Sequence, residues 1–135
     1  MVCYICGGST QVINSRPQKR TNQVWRRRAC ILCDSVFSTE ESIDYTKSLR
    51  VQSIGNRQLE PFSRDRLLLS LHKSLGHRPI ALHDASGLCA TIMTKVTQRA
   101  QNGVVSRENI IQVAMVALNR FDTLAAQHYQ AFHKL

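Results

Sequence analysis

A chain of 135 residues, 43% of them hydrophobic, is the size of one or two small globular domains. No apolar run approaches the roughly 18 residues that a membrane-spanning helix needs, and the first residues already carry Cys3 and Cys6 instead of a secretory h-region. The net charge of +9 favours an anionic partner, and with no targeting segment the expected location is the cytoplasm, where thiols stay reduced.

The charge is unevenly placed. Residues 1–33 hold Arg16, Lys19, Arg20, Arg26, Arg27 and Arg28 and no Asp or Glu; the first acid is Asp34. The same segment contains Cys3-Tyr4-Ile5-Cys6 and Cys30-Ile31-Leu32-Cys33, a Cys-x2-Cys-x23-Cys-x2-Cys pattern. Each pair can turn two thiolates toward one point, and two pairs complete the tetrahedral sulfur shell that Zn²⁺ prefers. Four protein ligands leave no open position, so such a metal is structural. Iron in the same sulfur shell, as in a small electron carrier, is an alternative that the ligands alone leave open. Gly7-Gly8 suits the tight turn of a knuckle. Val12-Ile13, Val24-Trp25 and Val36-Phe37 read as short strands. So small a segment has little core of its own, and metal binding supplies much of its folding free energy.

In Val24-Trp25-Arg26-Arg27-Arg28-Ala29, strand alternation puts Arg26 and Arg28 on one face and Trp25 and Arg27 on the other. Guanidinium groups two residues apart can grip successive phosphates or fork onto a guanine edge, and Trp25 can stack. Trp25, Arg26, Arg27 and Arg28 are therefore candidate nucleic-acid-binding residues.

The domain boundaries expected are 1–40 for a metal-held ribbon, 41–48 for a polar linker and 49–135 for a second, mostly helical domain. Leu49 to Ile54 alternates, turns at Gly55-Asn56 and returns through Arg57 to Glu60, a hairpin pattern. Ser63 offers an N-cap to a helix carrying Leu67, Leu68, Leu71 and Leu75, which Gly76 and Pro79 end. A second helix is predicted from about Asp84, with Leu88, Ile92 and Val96 inward. Ser106 caps a third, with Ile110, Ala114, Ala117 and Phe121 inward. A last helix covers Thr123 to His133. The fold class is α+β: a small ribbon of short strands, then helices behind an N-terminal hairpin. Cys89 reads as a buried free thiol. His72, His77, His83, His128 and His133 show no ligand spacing with the cysteine pairs. No Gly-rich phosphate loop and no nucleophile–base constellation is present, so no enzyme is expected.

Cys3-x-x-Cys6, Val12-Ile13-Asn14-Ser15-Arg16, Arg26-Arg27-Arg28-Ala29-Cys30-x-x-Cys33 and Phe37-Ser38-Thr39-Glu40 together resemble the zinc ribbon of NrdR, a family of bacterial repressors of ribonucleotide reductase genes. Val51, Glu60-Pro61-Phe62, Arg66-Leu67, Arg78-Pro79, Val105-Ser106 and Phe121-Asp122 resemble its second part, the ATP-cone. The resemblance implies structural Zn²⁺ on Cys3, Cys6, Cys30 and Cys33. It also implies double-stranded DNA partners at operator boxes upstream of reductase genes, with Arg16, Trp25, Arg26, Arg27 and Arg28 as the DNA-binding residues, and ATP or dATP as regulatory ligand setting the state of a homo-oligomer. The nucleotide-binding residues it implies are Val51, Gln52, Glu60, Arg66 and Arg78. Departures are visible. Trp25 stands where the family has the first of four arginines. The lysine that opens the family's cone is absent at Gln52 or Ser53. Arg66 replaces a lysine. Ala126 to His133 lacks the family's first tyrosine and its arginine. A zinc-ribbon protein whose cone only oligomerises is therefore the alternative reading.

Overall fold

A computed structural model describes residues 1–53 and 55–133. The chain divides into two units, Met1–Ile43 and a second beginning at Asp44.

The first unit is a three-stranded antiparallel sheet in the order β1 (Thr10–Gln18), β2 (Gln23–Cys30), β3 (Val36–Glu41). The strands run longer than the short apolar dipeptides suggest, because the ladder continues through polar residues: Arg16 pairs with Trp25 and Gln18 with Gln23. A bulge between Val12 and Asn14 shifts the β1–β2 register, which bends the strand locally. Only Cys3 and Cys30 appear among the buried apolar residues of this unit. Val12, Ile13 and Val36 are exposed. A sheet with so little buried surface has no conventional core, and its interior is the cluster of sulfurs.

The second unit starts inside the stretch expected as linker. Glu41 closes β3, and Tyr45–Ser48 forms a single helical turn, α1. A second three-stranded sheet follows, with β4 (Arg50–Gln52) between β5 (Leu59–Pro61), antiparallel, and β6 (Val104–Ser106), parallel. The hairpin is shorter than the alternation suggests, and Ile54 of its predicted first strand lies outside the described residues. Pro61 is tolerated because β5 is an edge strand. The third strand, β6, was not legible from pattern: it is three residues long and pairs with a partner some fifty residues earlier. It is fed by a turn in which Gly103 has φ +74°, and a Cβ there would stand 3.1 Å from the Ser48 carbonyl oxygen. That close approach, and the Arg50 N–H donating to the Gly103 carbonyl at 2.8 Å, fix the β4–β6 register.

Four helices complete this unit: α2 (Arg64–Ser74), α3 (Ala81–Arg99), α4 (Arg107–Phe121) and α5 (Thr123–Phe132), with α3 and α4 against β6 and α2 and α5 packed on the other helices. Ser63 caps α2 by accepting from the Arg66 amide, and Ser106 caps α4 by accepting from Asn109, as expected of serine at these positions. The core holds Leu67 and Leu71 of α2 and its C-cap Leu75, Ala85, Cys89, Ile92, Met93 and Val96 of α3, Ala114 and Leu118 of α4, and Tyr129 of α5.

Two expectations need correction. α3 begins at Ala81, not near Asp84: the Asp84 amide already donates to the Ile80 carbonyl at 3.0 Å, so Asp84 sits in the first helical turn. Phe121 is not inward. The buried stripe of α4 runs through Ile111, Ala114 and Leu118, and Phe121 is 42% exposed under the Arg78 guanidinium, 4.6 Å from its ring centroid.

Candidate metal centre, basic face and ligand cavity

The two knuckles are built alike. The Cys3 amide donates to the Gly8 carbonyl at 2.8 Å, and the Cys30 amide donates to the Ser35 carbonyl at 2.9 Å. The residue after each second cysteine is left-handed, Gly7 at φ 72° and Asp34 at φ 57°; glycine takes that conformation freely and aspartate tolerates it. The Ile31 amide donates to the Ser9 carbonyl at 3.0 Å and ties the second knuckle to the first.

The four sulfurs lie within 4.8 Å of one another. Cys3 and Cys33 are 3.7 Å apart and Cys6 and Cys30 3.5 Å. A tetrahedron with Zn–S bonds of about 2.3 Å has edges of about 3.8 Å, so the donor set fits Zn²⁺. Amides of Ile5 and Gly8 donate to the Cys3 and Cys6 sulfurs, each at 3.4 Å. The Ser35 hydroxyl lies 3.2 Å from the Cys3 sulfur and 3.1 Å from that of Cys33. Ser35 foremost, with backbone amides, pulls the Cys3 thiol down to about 6 and lowers Cys33 as well. Against the lowering amide of Gly8, the sulfurs of Cys30 and Cys33 push Cys6 up to about 12. Cys6 thus holds a proton that a divalent cation would replace. Ser35 escaped the sequence reading; its signal was its place two residues after Cys33, where it also supplies the knuckle carbonyl.

The basic strand displays its charges on two faces, as alternation predicts. Arg26 and Arg28 share one face, where Arg26 pairs with Glu41 at 3.1 Å. There the Arg28 guanidinium donates to Thr39 and Thr10, each at 3.4 Å. The opposite face carries Trp25 and Arg27, and register adds Arg16 directly across from Trp25. Arg27 is exposed, and among the described residues neither Arg16 nor Arg27 has an ion-pair partner. The sheet therefore splits the expected DNA set into a tethered pair and a free group of Arg16, Trp25 and Arg27.

In the second unit, a cavity of about 250 Å³ opens between the hairpin, the start of α2, the start of α4 and the end of α5. Val51, Glu60 and Arg66 line it, as expected, and Arg66 lies 4.0 Å from Glu60. Ser53, Ser63, Ser70, Arg107, Tyr129 and His133 join them. Gln52 does not: on β4 it faces the side opposite Val51 and lines a neighbouring depression with Asn56, Arg57 and Glu108, which Ser53 also borders. Arg78 does not either. Its guanidinium is held by Asp84 at 2.6 Å and Asp122 at 3.1 Å. Arg107 and His133 were missed because they lie some forty and seventy residues beyond Arg66 in the chain. Tyr129 and His133 are four residues apart at one end of α5, the only local signal available.

Residues 1–41 match the family model described as the N-terminal domain of NrdR-like transcriptional repressors, a zinc ribbon. Over 99% of its length the chain is 33% identical to the transcriptional repressor NrdR of Rhodospirillum centenum, covering 86% of that protein. It is 31% identical to that of Roseobacter denitrificans, covering 85% of it, and 30% identical to that of Symbiobacterium thermophilum, covering 87% of it, again over 99% of this chain. The chain belongs to the NrdR family. Proteins of that name are transcriptional repressors. The NrdR resemblance read from the cysteine and arginine motifs is therefore shown, and so is the α+β arrangement of ribbon and helical unit. No helix among the described residues is long and apolar enough to cross a membrane.

Proposed function

We propose that this chain is a zinc-dependent, DNA-binding transcriptional repressor of ribonucleotide reductase genes, working in the cytoplasm. Residues 1–40 read double-stranded operator DNA, 41–48 connect, and 49–135 bind ATP or dATP and assemble the homo-oligomer. The observation that carries the reading is the tetrathiolate ribbon with an unpaired Arg16, Trp25 and Arg27 face, in a chain related along its length to proteins named as repressors. Zn²⁺ on Cys3, Cys6, Cys30 and Cys33 fixes the ends of the strands; the arginines contact phosphates or base edges, with Arg26 and Arg28 as the second rank.

Nucleotide sensing is supported by the cavity beside the hairpin, where Arg66 and Arg107 stand at the starts of two helices. Helix N-termini and guanidinium groups together favour a polyphosphate. The test is a mobility-shift assay on the chain's own upstream reductase DNA with and without dATP, read beside protein mass in solution. Operator binding that depends on dATP and tracks a change in mass supports the reading; DNA binding indifferent to millimolar nucleotide counts against the sensing half.

One observation favours a second reading, a cone that only oligomerises: neither Arg50 nor Gln52 of β4 lines the cavity, and Ser53 just after the strand is neutral. Absence of any nucleotide binding at millimolar concentration, with an intact oligomer, selects it.

A further inference from the structure

His133 is the least expected member of the cavity. It sits just past the end of α5, held by its own amide donating to the Tyr129 carbonyl at 3.0 Å. Its Nε2 is hydrogen-bonded to the Ser70 hydroxyl of α2, and its ring lies against that of Tyr129, with centroids 4.2 Å apart. The ring is thus fixed from two helices and directed at the cavity.

The charged neighbours are few and mostly positive. Arg107 at the start of α4 and Arg66 at the start of α2 line the same cavity, with Glu60 the one carboxylate, already facing Arg66. On α2, Lys73 lies over the Phe132 ring at 4.1 Å. Among the described residues no carboxylate pairs with His133 or Arg107. Burial chiefly, and the Arg107 charge after it, lower the His133 pKa. Burial and the neighbouring Arg107 therefore disfavour a positive charge on the His133 imidazole until an anion enters the cavity that it shares with Arg107 and Arg66.

We propose that His133 contacts the phosphates of the bound nucleotide and takes up a proton as the nucleotide binds, so that affinity for the regulatory ligand falls as pH rises. The proposal rests on the nucleotide reading of this cavity. An anionic polyphosphate reverses the local field: the imidazolium, unfavourable beside Arg107 alone, becomes a third cation against several negative charges. A proton from solvent adds to the imidazole nitrogen that faces the ligand; if Nε2 is the nitrogen used, the Ser70 hydroxyl turns from donor to acceptor. The linkage has one sign. Whatever raises the histidine pKa in the complex makes binding tighter at low pH, and the effect fades above the pKa of the complex. Each unit of upward shift gives roughly tenfold tighter binding at a pH well below both pKa values than at one well above them.

The experiment is a titration of the full zinc-loaded protein with dATP between pH 6 and pH 8.5, in wild type and in His133→Gln. The difference between the two slopes removes the nucleotide's own phosphate ionisation. Alongside, the His133 ring is followed by NMR in wild-type protein with and without saturating dATP, which needs no variant to fold. The expected result is a steeper fall in affinity with pH in wild type than in His133→Gln, and an upward move of the His133 titration in the complex. Saturable binding with equal slopes, or a His133 titration that dATP leaves in place, overturns the proposal while sparing the nucleotide reading. No binding at either pH overturns both.

Discussion

Arg78 donates to one oxygen of Asp122 at 3.1 Å, while the other oxygen of Asp122 caps α5 by accepting from the Ala125 amide at 3.0 Å. The same carboxylate receives His77 at 2.9 Å, and Arg78 reaches on to Asp84 in the first turn of α3. One arginine and two acids thus join the α2–α3 loop, α3 and the α4–α5 corner.

Acid should loosen this corner. The amide of Ala125, then His77 and Arg78, hold the Asp122 carboxyl well below the usual carboxylate range. A depressed folded pKa contributes stability that is present above the unfolded value near 4 and is lost as pH falls below it. Thermal melts of the wild type should lose more stability between pH 5 and pH 3 than melts of Asp122→Asn, which keeps a cap but not the charge. Equal losses would show that Asp122 titrates normally. Arg78→Ala should lower the melting temperature by several degrees at neutral pH.

Metal removal should unfold the first unit and spare the second. With Cys3 and Cys30 the apolar residues it buries, the ribbon has no apolar core to hold its ladders without the metal. Cys89, fully buried in α3 with its thiol pKa raised by burial, belongs to a separate core. Thiol titration after chelation should find the four ribbon cysteines at once and the fifth only in denaturant. Five fast thiols would mean that both units open together. DNA binding should disappear with the metal and return with Zn²⁺.

Salt dependence should separate the two basic faces. Arg16→Ala with Arg27→Ala removes two unpaired cations and should flatten the log–log slope of affinity against salt by about 1.8, at roughly 0.9 per phosphate. Arg26→Ala with Arg28→Ala should flatten it less, because Glu41 already neutralises Arg26. The opposite order would put the DNA on the other face of the sheet.

Arg66→Ala and Arg107→Ala should each weaken dATP binding by roughly ten- to a hundredfold, the value of a hydrogen bond to a charged group. Equilibrium titration reads this directly. Retained affinity in both variants would move the ligand out of the cavity beside the hairpin.

Local chemistry was legible in the sequence; long-range convergence was not. The cysteine spacing announced the metal centre, because two knuckles need only turns and thiols. Ser63 and Ser106 announced helix starts, because capping is a bond between neighbours three residues apart. Strand alternation separated Arg26 and Arg28 from Arg27, but the arrival of Arg16 opposite Trp25 required the β1–β2 register. Val51, Glu60 and Arg66 converge on one cavity because hairpin and helix adjoin in the chain. Arg107 and His133 reach it only through β6 and α5, whose placement depends on packing across the whole unit. Arg78 looks like a ligand-binding cation until its two carboxylates, 6 and 44 residues away, are seen.

The ribbon's interior is little more than a cage of four sulfurs, and this separates what folds it from what it recognises. Most positions of β1 and β3 are exposed, apart from a few such as Phe37 against the Tyr4 ring and Thr39 under Arg28, so an exchange at an exposed position leaves the frame in place. The outer faces of the sheet can therefore change by surface substitution while the four sulfurs that hold the frame stay the same.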